Sequence, residues 1–218
     1  ALLASSFLIA KKPTQGTVYH EPLQLKDLFT DRTLLALALS IFLYVAAEMG
    51  TAAWLAKYGE IHLGISRELA PICIAVFWGC LGLSRAAVSL LSHRIADRTV
   101  LLLAIGLSIG AQLFTFSINN TAASLVGIGV LGFGMGCIWP TLVALAGSKF
   151  RNASGSAVGI MVAAGALSIP LIQLAIGFTS RPDILGLRRS LLGLTVISLL
   201  NLVLVLRIFR GSPAARQS

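Results

Sequence analysis

The sequence predicts an all-α membrane protein, built as a bundle of six transmembrane helices. Mean hydropathy is +0.89 and only 11% of the residues are charged, whereas ordinary soluble domains carry about 25% charge. Six apolar segments, each long enough to cross a bilayer core of about 30 Å, alternate with polar loops at 34–55, 71–91, 100–116, 125–146, 157–178 and 191–208. The net charge of +9 reflects basic residues at membrane boundaries, because no basic patch interleaves with aromatic residues as nucleic-acid binding would require.

The segment before the first full span divides into two parts. Residues 1–10 are apolar but too short to span a bilayer, so we expect them to be the end of a preceding transmembrane helix in a longer chain. Residues 11–32 are predicted to be a cytoplasmic connector, in which QLKDLFTDR forms a short amphipathic helix at the membrane surface. The six-helix domain then occupies 33–210, and 211–218 form a cytoplasmic tail.

The first span carries one acid, Glu48, near its middle. A carboxylate at that depth is costly unless it is protonated, paired or hydrated, so it must face protein or a cavity. Tyr44, Glu48 and Thr51 share one face of a 3.6-residue helix, and Trp54 flanks that face. Either these residues line the path of a polar ligand, or a neighbouring helix satisfies the acid; both interpretations stay open.

The fourth span is rich in glycine and contains a proline. Gly132 and Gly136 lie four residues apart, which predicts close approach of a neighbouring helix. Pro140 removes a backbone hydrogen bond and is expected to kink the span. Its neighbour Trp139 suits stacking on a sugar face as well as core packing. A kinked, glycine-rich helix is a candidate for a moving gate.

The second and fifth spans carry isolated polar groups. Arg85, near the cytoplasmic end of the second span, either extends to the interface or forms a charge clamp with Arg94 and Asp97 that holds one conformation of the bundle. Gln173, after Pro170 in the fifth span, either reaches a ligand or caps the kink at that proline.

The pattern of polar and apolar residues in the first three spans repeats in the last three. The third and sixth spans are aliphatic with one amide each, Gln112 or Asn201, and are predicted to be outer helices facing lipid. The first and fourth are predicted to be inner helices, and the second and fifth intermediate. This three-plus-three inverted repeat is typical of secondary transporters.

The distribution of lysine and arginine predicts the orientation of the spans. The connector, the loops after the second and fourth spans and the C-terminal segment hold eleven basic residues: Lys11, Lys12, Lys26, Arg32, Arg94, Arg98, Lys149, Arg151, Arg207, Arg210 and Arg216. The remaining loops hold five: Lys57, Arg67, Arg181, Arg188 and Arg189. The connector and the C-terminus are therefore predicted to be cytoplasmic, in an inner or plasma membrane.

No arrangement of residues in the chain is typical of an active site. The sequence contains no hydrolytic triad, phosphate-binding loop or pair of intramembrane carboxylates. Cys73, Cys80 and Cys137 lie in apolar segments without metal-ligand spacing. We therefore expect no enzymatic activity, no metal and no cofactor.

Three segments carry a family resemblance: FLYVAAEMGTAAWL, WGCLGLSR and GFGMGCIWPTLVAL. They resemble the C-terminal half of a major facilitator superfamily transporter, helices seven to twelve, and most closely its fucose-permease-like sugar:proton symporter branch. The matching positions are Tyr44, Glu48, Trp54, Gly82, Arg85, Trp139, Pro140 and Thr141. The resemblance implies alternating access between two six-helix halves and proton-coupled movement of a small polar, sugar-like solute.

The resemblance also implies partners. Six helices of this kind cannot enclose a two-sided path, so the chain would need the N-terminal six-helix half or a second copy, besides the lipid bilayer and the solute. The alternative function is a non-transporting subunit that scaffolds a larger membrane complex, and drug efflux on the same fold is a third. The expected substrate-binding residues are Tyr44, Glu48, Thr51, Trp54, Trp139 and Gln173. The expected gating residues are Arg85, Arg94, Asp97, Gly132, Gly136 and Pro140.

Overall fold

The computed structural model describes residues 25–91 and 95–210, and all regular structure in those ranges is helical. The helices are α1 (Leu25–Thr30), α2 (Arg32–His62), α3 (Ile72–Leu91), α4 (Asp97–Ser117), α5 (Thr121–Gly136), α6 (Ile138–Lys149), α7 (Ser154–Thr179) and α8 (Leu187–Arg210), with a short 3-10 turn at Arg151–Ala153. The predicted segments 1–10 and 211–218, and most of the connector at 11–32, lie outside the described residues.

Six helical segments in the described ranges are long and apolar enough to cross a membrane, with α5 and α6 together forming the fourth. Side-chain contacts show that the first span runs antiparallel to the fourth and parallel to the third. Lys149 Nζ donates to Thr33 Oγ1 at 2.9 Å, which places the end of α6 beside the start of α2. Tyr58 Oη donates to Thr115 O at 2.9 Å, which places the end of α2 beside the end of α4. The predicted six-helix membrane bundle is confirmed.

The first span is longer than the sequence pattern predicts. Residues 56–62, expected to form a loop, continue α2 as far as His62. Tyr58 in this extension is fully buried. A Cβ added at Gly59 would lie 2.9 Å from the Cys73 Sγ, so the glycine allows α3 to pack closely here. Tertiary packing thus holds a polar segment in helical form that hydropathy alone assigns to a loop.

The six spans form an inverted repeat. The main packing pairs are first–fifth, second–fourth, third–fourth, first–sixth and third–sixth, and this set is unchanged when spans 1, 2 and 3 are exchanged with spans 4, 5 and 6. Because spans 1 and 4 run in opposite directions, the two repeats are inverted. The buried share of each span's most apolar window follows the same pairing: 61% and 56% for spans 1 and 4, 22% for both 2 and 5, and 44% and 33% for 3 and 6.

The third and sixth spans, for which exposure to lipid stays a prediction, carry a polar seam on their buried side. Ser40 Oγ donates to Asn201 Oδ1 at 2.6 Å, and Ser198 Oγ donates to Gln112 Oε1 at 3.0 Å. Both amides are buried, while leucines such as Leu103 point outward. The second and fifth spans, predicted to be intermediate, are instead the least buried, since α3 packs mainly on α5 and α7 mainly on α2.

Glycines bring the fourth span into direct contact with the second. A Cβ at Gly132 would overlap the carbonyl oxygen of Phe77, and one at Gly136 would overlap that of Leu81. The α5 and α3 backbones therefore touch, as the four-residue glycine spacing predicts.

This contact yields a stability prediction. Gly132→Ala is expected to lower the free energy of unfolding by about 1–3 kcal/mol, because the methyl group must push α3 away. Gly110→Ala is the control, since a Cβ there meets nothing within 4 Å. Thermal unfolding of the purified protein in detergent measures both changes, and equal midpoints for the two variants would contradict the close contact.

Candidate functional site

Glu48 lies at the centre of a buried polar cluster. Its side chain is 3% exposed, and Tyr44 Oη, one turn earlier on α2, donates to its Oε1 at 2.7 Å. Tyr44 is itself buried, so this hydrogen bond is sheltered from water. The i, i+4 spacing on α2 therefore places the hydroxyl and the acid together, as the sequence predicts.

The second span, α3, supplies the charge opposite to that of Glu48. Arg85 Nη2 on α3 lies 3.6 Å from Glu48 Oε1, and the Arg85 side chain is 45% exposed. The pair joins a buried acid to a half-exposed base, so the guanidinium is the side of the pair that outside molecules can reach. A neighbouring helix therefore satisfies the acid, which is one of the two interpretations left open above.

Pro140 explains where Arg85 makes its second contact. A proline has no N–H, so Pro140 leaves the carbonyl of Gly136, four residues earlier, without its helical donor. The span is interrupted at Cys137, between α5 and α6. Arg85 Nε donates to Gly136 O at 3.4 Å. The carbonyl freed by the proline is thus taken up by the arginine that pairs with Glu48.

Trp139 and a cavity border this cluster. The Trp139 ring lies 6.5 Å from the Tyr44 ring, centroid to centroid, with the planes at 47°. The position of a Cβ on Gly165 would be 3.4 Å from the indole, so α7 passes close by. Arg85, Trp139 and Pro140 line a cavity of about 360 Å³ between α3, α4 and α6, a volume that accommodates a small solute.

The other predicted ligand residues form a second, neutral group. Trp54 Nε1 donates to Gln173 Oε1 at 2.8 Å, and Gln173 Nε2 donates to Met49 O at 3.0 Å. These bonds join α2 to α7 and engage both ends of the amide. Thr51 is buried, and its Oγ1 has no hydrogen-bond partner among the described residues. The predicted substrate residues therefore do not form one site: Tyr44, Glu48 and Trp139 lie in the charged cluster, and Trp54 and Gln173 form a separate neutral group.

The predicted clamp of Arg85, Arg94 and Asp97 is described only in part. Arg94 lies outside the described residues, so its role stays a prediction. Asp97 is the first residue of α4, is exposed, and lines the same cavity as Arg85. Within the part of the chain that the structure describes, the ion pairs are Lys57–Glu60 and Arg85–Glu48.

The sequence did not reveal the pairing of Arg85 with Glu48. One signal was present, because Pro140 marks Gly136 O as a carbonyl in need of a donor. An arginine on a helix that the Gly132–Gly136 pair brings close is a suitable donor. The sequence does not show how far α2 and α3 are shifted relative to each other along their axes.

The architecture defines the class of protein: a six-helix inverted repeat is a building unit of secondary transporters. The sequence profile of the Major Facilitator Superfamily matches residues 1–173. The chain belongs to this superfamily and is a multi-pass membrane protein.

Solved structures show the same fold. The E. coli fucose:proton symporter FucP superimposes with a TM-score of 0.79 at 16% identity, over 95% of this chain and 52% of that chain. FucP in the outward conformation gives a TM-score of 0.78 at 16% identity, over 95% and 51%. The peptide transporter POT in complex with sulfate gives 0.73 at 17% identity, over 85% and 42%. No curated protein sequence matches significantly.

The chain spans about half the length of the transporters that it resembles. It therefore has the fold of a transporter half, and the polar cluster lies on spans 1, 2 and 4 of that half.

The ion pair makes a stability prediction that depends on pH. Arg85→Gln leaves the Glu48 carboxylate buried without its counter-charge, and we expect a loss of about 1–3 kcal/mol in the free energy of unfolding at neutral pH. The loss should shrink at acidic pH, because protonating Glu48 removes the uncompensated charge.

The double variant Arg85→Gln, Glu48→Gln serves as the control, since it removes both charges and should recover most of the stability. Unfolding midpoints measured across pH in detergent would test this. A loss of the same size at every pH, or no recovery in the double variant, would show that the pair contributes no charge compensation.

Proposed function

We propose that the chain is the C-terminal half of a secondary active transporter that moves a small polar, sugar-like solute by alternating access, coupled to protons. The observation that carries the proposal is the buried acid Glu48, held by Tyr44 and by a half-exposed Arg85 next to a cavity. Intramembrane acids in such positions are typical of proton and substrate pathways. The proposal assigns no enzymatic activity and no cofactor to the chain.

The complete transporter in this proposal has two six-helix halves. The open sides of α3 and α7, which are the least buried spans, would face the N-terminal half across the solute path. Trp139 would present its ring to the solute beside Arg85. The glycine contacts of α5 with α3 and the interruption at Cys137 would let the fourth span change shape as access alternates.

We propose the predicted orientation from the basic residues, and the contacts of Arg188 bear on that count. Its Nε donates to Phe116 O at 2.6 Å and its Nη2 to Ile118 O at 3.1 Å, and it also bonds Asn119. Arg188 therefore caps the C-terminus of α4, which gives a structural reason for a basic residue on the side with fewer of them. Without it, the predicted count of eleven against five becomes eleven against four, which favours a cytoplasmic connector and C-terminus in an inner membrane.

Cysteine labelling tests this orientation. In a background without the three native cysteines, Asp183→Cys should react with a membrane-impermeant maleimide added to intact cells. Ser148→Cys should react only after the cells are opened; both positions are exposed. The reverse pattern would invert the proposed topology.

The proton-coupling role of Glu48 has its own test. In the complete transporter in liposomes, Glu48→Gln should abolish uptake driven by a pH gradient while keeping solute counterflow, because a neutral amide can stay in place but cannot carry a proton.

The matched control is Glu60→Gln, an acid on the same helix that pairs with Lys57 at 3.0 Å near the surface and should leave both activities unchanged. Unchanged pH-driven uptake in Glu48→Gln would remove Glu48 from the coupling. A folded complete protein without counterflow of any solute would favour the non-transporting scaffold.

A further inference from the structure

The contacts of Arg85 leave most of its binding capacity unused. A guanidinium carries five N–H donors, and charge-assisted hydrogen bonds to carboxylates are usually about 2.7–2.9 Å long. Here the contact with Glu48 is 3.6 Å and the bond to Gly136 O is 3.4 Å. With its side chain 45% exposed and lining the cavity, Arg85 presents unpaired donors to whatever enters.

We propose that Arg85 binds the carboxylate of a small organic anion, such as a sugar acid, which displaces Glu48 from the guanidinium while Glu48 takes up one proton. The inference rests on the proposed transport function and names the solute class. Planar, paired donors make arginine well suited to a carboxylate, and Trp139 beside it offers an apolar ring face to a carbon skeleton.

Charge balance couples the binding of the anion at Arg85 to the protonation of Glu48. In the empty site, the positive Arg85 and the negative Glu48 sum to zero. With the anion bound to Arg85 and Glu48 protonated, the sum is again zero. Binding the anion without a proton leaves the buried Glu48 carboxylate without its counter-charge, and binding the proton without the anion leaves Arg85 without its partner, so both half-loaded states are less favourable. The site therefore loads one anion with one proton.

The surroundings of Glu48 contain no further group that would disturb this balance. Tyr44 on its own helix and Arg85 on α3 are the titratable groups in contact with it within the described ranges. Helix α7 has no charged residue, and those of α6 and α8 lie near the helix ends. Asp97 lines the cavity but is exposed in the first turn of α4, where the helix dipole offsets its charge.

Counterflow in liposomes tests the solute class, using the complete transporter. The probes are glucuronate, galacturonate, gluconate and lactate, each compared with glucose and galactose as neutral solutes. We expect exchange of at least one carboxylate, reduced roughly tenfold or more in Arg85→Gln and partly restored in Arg85→Lys. Arg181→Gln is the matched control, because Arg181 stacks on Phe178, away from the cluster, and should leave exchange unchanged.

Proton uptake on binding gives a second measurement that needs no transport. In weakly buffered detergent solution, carboxylate binding should take up about one proton per site in the wild type. Glu48→Gln should bind the same anion with no proton uptake.

The outcomes separate this inference from the proposed function. Counterflow of neutral sugars that persists in Arg85→Gln overturns the inference and leaves transport intact. Loss of neutral counterflow in a folded Arg85→Gln also overturns it, because Arg85 is then needed for transport whatever the charge of the solute. Exchange of no carboxylate by the folded wild type overturns it as well, and if neutral sugars also fail to exchange, the transport proposal fails with it.

Discussion

A single carboxylate in an apolar interior constrains how the helices of this chain are arranged. Glu48 is almost completely buried, and a charge in that position must be compensated by groups close at hand. Tyr44 compensates it from the same helix and Arg85 from the next one. Arg85 is in turn held by Gly136 O, the carbonyl that Pro140 leaves without a donor. Spans 1, 2 and 4 are therefore tied together through one acid.

The glycines of the fourth span make this link possible. Arg85 can contact the Gly136 carbonyl only if α3 lies against the α5 backbone, and both Gly132 and Gly136 touch the α3 main chain. Larger side chains at these positions would move α3 outward and take Arg85 away from Glu48. The structural role of the glycines, close helix packing, thus also sets the geometry of the charged cluster.

Periodicity and hydropathy predict the fold, and the single acid inside a span predicts the position of the candidate site, but they do not predict the charge pair. Six spans, the inverted repeat and the Tyr44–Glu48 face all follow from local sequence. The pairing of Arg85 with Glu48 does not, because α2 begins sixteen residues before Glu48 and α3 ends six residues after Arg85. If the start of α2 and the end of α3 were level, this difference of ten residues would place Glu48 and Arg85 about 15 Å apart along the helix axes. The start of α2 and the end of α3 are not level, because α2, with 31 residues, is longer than α3, with 20.

The two repeats contain similar contacts between a side chain and a backbone carbonyl, but the side chain is charged in one repeat and neutral in the other. In one, Arg85 of the second span donates to a backbone carbonyl of the fourth span; in the other, Gln173 of the fifth span donates to a backbone carbonyl of the first, Met49 O. These span pairs exchange under the symmetry of the fold. The Gln173 link is neutral, and its amide also accepts a hydrogen bond from Trp54, so it does not depend on charge. The Arg85 link is charged and its two contacts are long, at 3.6 Å and 3.4 Å, so it depends on the charge of Glu48. The symmetric fold therefore has one inter-span contact that depends on charge and one that does not.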